Sequence, residues 1–98
     1  MELLTEEIIK ELPALYSQDD VADPIVHVKF FDPSGSFTWY VLEYDGNDTF
    51  FGKVFSHLCS EGELGYFTLS ELKSVKGPLG LGIERDLYWT AKPLSQCK

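Results

Sequence analysis

Two runs of side chains with a period of two follow one another between residues 37 and 58, separated only by Asp45-Gly46-Asn47-Asp48. In the first run Phe37, Trp39, Val41 and Glu43 alternate with Thr38, Tyr40, Leu42 and Tyr44. In the second, over residues 49–58, Phe51 and Phe55 alternate with Phe50 and Val54. Period two is the signature of a strand, and Asp-Gly with Asn favours a tight hairpin turn. The three carboxylates around the turn also raise a calcium-loop reading. That reading fails on spacing: an EF-hand register begun at Asp45 puts Phe50 where the sharp turn needs glycine. The stretch reads as a hairpin, and any chain containing it must build a sheet around it.

The other elements follow from local chemistry. Thr5 is an N-cap for a helix to about Leu12, with Glu6 and Glu7 at its positive end and Pro13 as its stop. Leu4, Ile8, Leu12 and Leu15 give it one apolar stripe, and Leu4 and Ile9 stand at the staple positions. Residues 17–24 are polar and turn-rich. Residues 25–31 read as a strand, with Val26, Val28 and Phe30 on one side and Ile25, His27, Lys29 and Phe31 on the other. Asp32-Pro33-Ser34-Gly35 has type I turn chemistry. Ser60-Glu61-Gly62-Glu63 reads as a further turn before a short strand at 64–67. Thr68-Leu69-Ser70-Glu71 matches a capping box that opens a two-turn helix to Val75. Gly77-Pro78-Leu79-Gly80-Leu81-Gly82 is a connector, residues 83–90 a last strand, and residues 92–98 a loose tail.

The expected architecture is α+β and a single domain over residues 1–98: an antiparallel meander sheet of four to five strands, with the N-terminal helix and one short helix on one face. Aromatic residues make up 14% of the chain and fall on both sides of the central strands. Two short helices cover one face only. The other is closed by loops and the C-terminal tail, or stays partly open as an aromatic surface of the kind that marks interaction sites.

Charge narrows the partners. The chain carries −8 at neutral pH. Residues 1–48 hold eleven acids and two bases, whereas residues 49–98 hold five acids and six bases. Such a surface is repelled by phosphate backbones and anionic membranes, which argues against direct nucleic-acid or membrane binding and favours a basic partner. The acidic start lacks the basic, then apolar, order of a secretory leader, and no run approaches a membrane span. A cytoplasmic protein with free thiols at Cys59 and Cys97 is expected.

No constellation for catalysis or cofactor binding is strong. His57, Cys59, His27 and Cys97 lack paired metal-ligand spacing, so no metal is expected, and His57 and Cys59 would share one strand face without being activated. Glu71-Leu72-Lys73 is half of a nuclease motif but falls in a helix. The glycines at 77–82 lack the rest of a phosphate loop, and no cofactor is expected. Glu84, Arg85 and Asp86, with Tyr88 nearby, are the candidates for a small polar pocket. The acids Asp19, Asp20, Asp23, Glu43, Asp45 and Asp48 form a candidate acidic rim on one loop and one hairpin, with Tyr44 and Phe50 as its aromatic anchor.

The segments VKFFDPSGSFTWYVLEYDG, DTFFGKV, ELGYFTLSEL and GPLGLGIERDLYW resemble those of domain of unknown function 2958, a family of short bacterial proteins, over residues 4–93. The resemblance implies carriage on plasmids, conjugative elements and phage-like regions, among DNA-handling and anti-restriction genes. It transfers no functional residue, because the family has no assigned activity. Residues 57–60 and the Cys97 tail lie outside the pattern.

Two readings of function result. In the first, the protein is a non-enzymatic acidic inhibitor or adaptor that occludes the DNA-binding surface of a basic, DNA-handling protein, as an anti-restriction or anti-CRISPR factor would. An accessory role in plasmid replication or transfer makes the same physical predictions. In the second, Glu84, Arg85, Asp86 and Tyr88 line the pocket of a small enzyme or ligand-binding protein.

Overall fold

A computed structural model describes residues 3–18, 20–33, 35–75 and 82–97, without the side chain of Cys59. The expected connector at 77–82 lies outside the described residues except for Gly82, and so does Ser34 of the first turn.

The sheet is the predicted antiparallel meander. Its strands are β2 (Val28–Phe31), β3 (Thr38–Tyr44), β4 (Thr49–Ser56), β5 (Cys59–Thr68) and β6 (Glu84–Arg85), in the order β5-β4-β3-β2-β6. Two further short strands, β1 (Ile25–Val26) and β7 (Lys92–Pro93), pair antiparallel in a separate ribbon. The turn after β2 closes through the Gly35 N–H donating to the Asp32 carbonyl at 3.2 Å.

Both helices form as their caps dictate. In α1 (Glu6–Glu11) the Thr5 hydroxyl accepts from the Ile8 N–H at 3.2 Å. In α2 (Leu69–Ser74) the Thr68 hydroxyl accepts from the Glu71 N–H at 3.1 Å. Each helix is too short to persist alone, so packing must hold it. Leu4, Ile8 and Leu12 at α1, and Leu69 and Leu72 of α2, seat on one sheet face over Val28, Phe30, Trp39, Val41, Tyr44, Phe50 and Phe67. Leu3, ahead of the predicted stripe, is buried there as well.

The opposite face carries Val26, Tyr40, Leu42 and Phe55. It is roofed by Trp89, Leu94 and Cys97. The expected loose tail is therefore a third layer: a short 3-10 turn, Leu94–Gln96, follows β7 and delivers Cys97 into the core at 8% exposure. The Trp89 indole N–H donates to the Val26 carbonyl at 3.0 Å, fixing this roof to the sheet.

Four further elements depart from the sequence reading. The strand expected at 25–31 breaks at His27, whose N–H donates to the Val41 carbonyl, so Val26 and Val28 lie on opposite faces. A bulge in β3 shifts the pairing from Val41↔Gly52 to Glu43↔Phe51, which turns Tyr44 to the helix side. The expected turn at 60–63 is instead part of β5: the hairpin turns at His57 and Leu58, and a second register shift spans residues 60–62, ending at Gly62 with φ 82°. A Cβ at Gly62 would come within 2.8 Å of the Phe55 ring, so both its conformation and the close approach require glycine. Finally, the strand expected at 83–90 ends at Arg85, because the Asp86 carboxylate accepts from the Tyr88 N–H at 2.9 Å and bends the chain.

Candidate functional site

The bulge in β3 determines where the acidic residues lie. By inserting Leu42, it leaves Glu43 on the roofed side, at 3% exposure, where the strict alternation would have placed it with Trp39 and Val41. The Glu43 carboxylate accepts from the Tyr16 N–H at 2.8 Å and the Gln18 N–H at 2.9 Å. Gln18 in turn donates from its side chain to the Leu42 carbonyl at 3.0 Å, and the Tyr44 N–H donates to the Pro13 carbonyl. The backbone groups loosened by the bulge are thus satisfied by the 13–25 loop. Tyr16 sits at φ 69°, a costly conformation for a bulky residue, and Glu43 binds its N–H. Glu43 is therefore an internal clamp and no part of a rim.

The other acids divide into two groups. Asp20 and Asp23 are exposed on the 18–24 loop, while Asp19 lies outside the described residues. Asp23 accepts from the Ser95 N–H at 2.9 Å and the Ser95 hydroxyl at 2.6 Å, which ties the loop to the tail and holds its carboxyl below the usual range. At the β3–β4 tip, Asp45 accepts from the N–H groups of Asn47, Asp48 and Thr49 at 2.8–3.0 Å. Those bonds lower its pKa. Asp48 accepts from the Ser70 N–H and hydroxyl at 2.9 and 2.7 Å, joining the tip to the start of α2. Asp23, Asp45 and Asp48 are each held by neutral donors, so their charge is fixed in place without being cancelled.

Tyr44 and Phe50, the expected anchor, lie inside the helix-side core with ring centroids 4.6 Å apart. The bulge turned Tyr44 inward, and Phe50 packs between Phe30 and Phe67. The exposed apolar residues lie elsewhere. On the roofed face the tail stops short of the β4–β5 end. Leu64 and Tyr66 are 58% and 57% exposed there, and Phe51 is half-buried beside them. A cleft of about 300 Å³ opens between this end and the 18–24 loop, lined by Val21, Leu42, Glu43, Phe51, Leu64 and Leu94 among others. A neighbouring hollow of about 390 Å³ includes Asp23, Lys53 and Glu61. The alternation Leu64/Tyr66 lies in the short strand expected at 64–67, but the turn read at 60–63 hid that this strand begins at Cys59.

The four candidate pocket residues line one small hollow together, and two of them also line a larger cleft. Arg85 and Asp86 share a cleft of about 330 Å³ with Glu7, Glu11 and His27 from α1 and the β1–β2 break. With Glu84 and Tyr88 they also border a smaller hollow of about 150 Å³ at the sheet edge, where Tyr88 is 94% exposed. Arg85 donates to the Leu3 carbonyl at 3.2 Å, and Asp86 stands 4.0 Å from Lys29. Burial pushes the His27 imidazole below its ordinary pKa, and Glu11 offsets this in part. His57 is in the hairpin turn, 2.6 Å from the Ser36 hydroxyl, rather than on a strand beside Cys59. The Cys59 side chain lies outside the described residues. Burial raises the Cys97 thiol pKa. Among the described residues, no group of three or more His, Cys, Asp or Glu side chains is placed to hold a metal ion.

A family model described as protein of unknown function (DUF2958) matches residues 3–97. The chain belongs to this family. No curated protein and no solved structure matches it. In this DUF2958 chain, no helix among the described residues is long and apolar enough to cross a membrane.

Proposed function

We propose that this DUF2958 protein is a non-catalytic acidic binding protein of the cytoplasm, which occupies the DNA-binding surface of a basic, DNA-handling protein. Carriage on mobile elements, with an anti-restriction or anti-CRISPR role, is part of the proposal, and an accessory role in plasmid replication or transfer is its variant. The observation that carries it is the manner in which Asp23, Asp45 and Asp48 are held. Neutral N–H and hydroxyl donors fix these carboxylates, so a chain of net charge −8 presents them as a rigid negative surface. Exposed Asp20 on the loop, and Glu6, Glu7 and Glu11 of α1, extend the negative field.

The test separates charge from structure. Asparagine keeps the acceptor oxygen and removes the charge, so Asp20→Asn/Asp23→Asn/Asp45→Asn/Asp48→Asn should fold as the parent does. Basic proteins retained by the tagged parent from bacterial lysate at low salt are purified and bound to fluorescent duplex DNA. The parent should displace the DNA, high salt should abolish displacement, and the quadruple variant should lose about tenfold or more in potency. Equal displacement by parent and variant overturns the reading.

A second reading, small-ligand binding, is favoured by the cleft that places Arg85 and Asp86 opposite Glu7, Glu11 and His27. It requires a ligand with both cationic and anionic groups. Saturable shifts of the His27 ring signals in a metabolite screen would support it.

A further inference from the structure

Strand β5 is the longest of the sheet, ten residues, and stands at the end of the strand order opposite β6. An outermost strand points alternate backbone N–H and C=O groups away from its sheet, a template for another strand. Proteins blunt such edges with lysine, proline or a bulge. Here the bulge lies at Gly62, and beyond it β5 pairs with β4 without interruption from Val54↔Glu63 to Thr49↔Thr68. The strand sequence CSEGELGYFT contains neither lysine nor proline.

We infer that the 63–68 edge of β5 is a strand-addition site for an extended basic segment of a partner protein, with cationic and apolar residues in alternation. The inference rests on the acidic-binder reading and names the chemistry of its partner. Two features select that occupant. Leu64 and Tyr66 project on one side of the edge, beside half-buried Phe51 and the cleft under the 18–24 loop, and receive the apolar positions of the added strand. Glu63, paired with Val54 and so on the other side from Leu64 and Tyr66, stands exposed for a cationic position, and Glu61 is exposed at the bulge that begins the edge. Lys53 of β4 leans over the Phe55 ring, toward the bulged end of the hairpin. A second copy of the chain is disfavoured, since it brings a further charge of −8 to the same edge.

The experiment titrates the full chain with an eight-residue peptide alternating lysine or arginine with valine. Its charge-reversed glutamate-valine counterpart is run in parallel, together with a basic version N-methylated on alternate residues. Amide hydrogen exchange maps the site. The basic peptide should bind and slow exchange at residues 63–68, and N-methylation should weaken it at least about tenfold, because side-chain contacts alone survive that change. Leu64→Glu/Tyr66→Glu, both exposed positions, should lose binding while keeping the parent's circular dichroism. Basic-peptide binding that protects other residues, or that ignores N-methylation, overturns the edge assignment and leaves the acidic-binder reading standing. Equal binding of the acidic peptide overturns that reading itself. Absence of any peptide binding, or a dimer protected at 63–68, overturns the strand-addition site.

Discussion

The two faces of the sheet are built from similar residues and finished differently. On the helix side, Phe30, Tyr44, Phe50 and Phe67 stack and cross under α1 and α2, and the layer is closed. On the opposite side the tail covers Val26, Tyr40 and Phe55 and then stops, so that Leu64 and Tyr66 remain in solvent. Large apolar groups on both sides of a strand therefore do not by themselves say that both sides are interior. The difference assigns stability to one face and leaves the margin of the other available for contact.

That contrast can be broken most forcefully at its dry side. Phe50→Ala removes a fully buried ring from the aromatic stack and should cost about 3–5 kcal/mol, read as a large fall in the urea midpoint. Trp89→Ala attacks the roof instead, losing its contact with Tyr40 and its hydrogen bond to Val26. Because Trp89 is only half-buried, about 2–3 kcal/mol is expected by the same measurement. Glu43→Ala strands the Tyr16 and Gln18 N–H groups beneath the loop and should cost about 2 kcal/mol, with Glu43→Gln costing less.

A pH series sharpens the comparison at the α1 margin. His27 has a lowered pKa in the folded state because it is partly buried, so its contribution to stability is complete above the ordinary imidazole value of 6.5. It is lost as pH falls below 6.5 through the folded pKa, because the unfolded chain takes up the proton first. Denaturation midpoints for His27→Gln should be flatter than the parent's over that window. The smallest effect belongs to the open margin: Leu64→Glu should change stability by no more than about 0.5 kcal/mol. A large loss there would mean that the exposed leucine holds the fold rather than awaiting a contact.

Local chemistry in the sequence was enough to identify the hairpin at Asp45–Asp48, both helix caps and the α+β meander. Thr5, Thr68 and the Asp-Gly pair act through bonds to residues two to four positions away, and such signals survive without tertiary context. The misplaced parts depend on distant partners. Glu43 reads as an exposed hairpin acid until the 13–25 loop brings Tyr16 and Gln18 to it, and Cys97 reads as loose until Tyr40 and Phe55 supply a surface. The site suffered most, because Tyr44 changed faces through one bulge. The Leu64/Tyr66 surface was legible as alternation, but Gly62 resembled a turn glycine although it serves a strand. Asp86 was a missed signal, since Asp followed by Leu-Tyr is compatible with a side-chain-bonded bend.

The bulge at Leu42 also makes this stretch unequally tolerant of different kinds of genetic change. A substitution at Leu42 alters one side chain. Adding a single residue there, with the bulge kept, would invert the parity of the rest of β3, sending a carboxylate into the aromatic stack and a tyrosine toward the loop. Lineages carrying this protein should therefore vary in residue identity across β3 without lengthening it, and gains of codons should accumulate in the connecting loops instead.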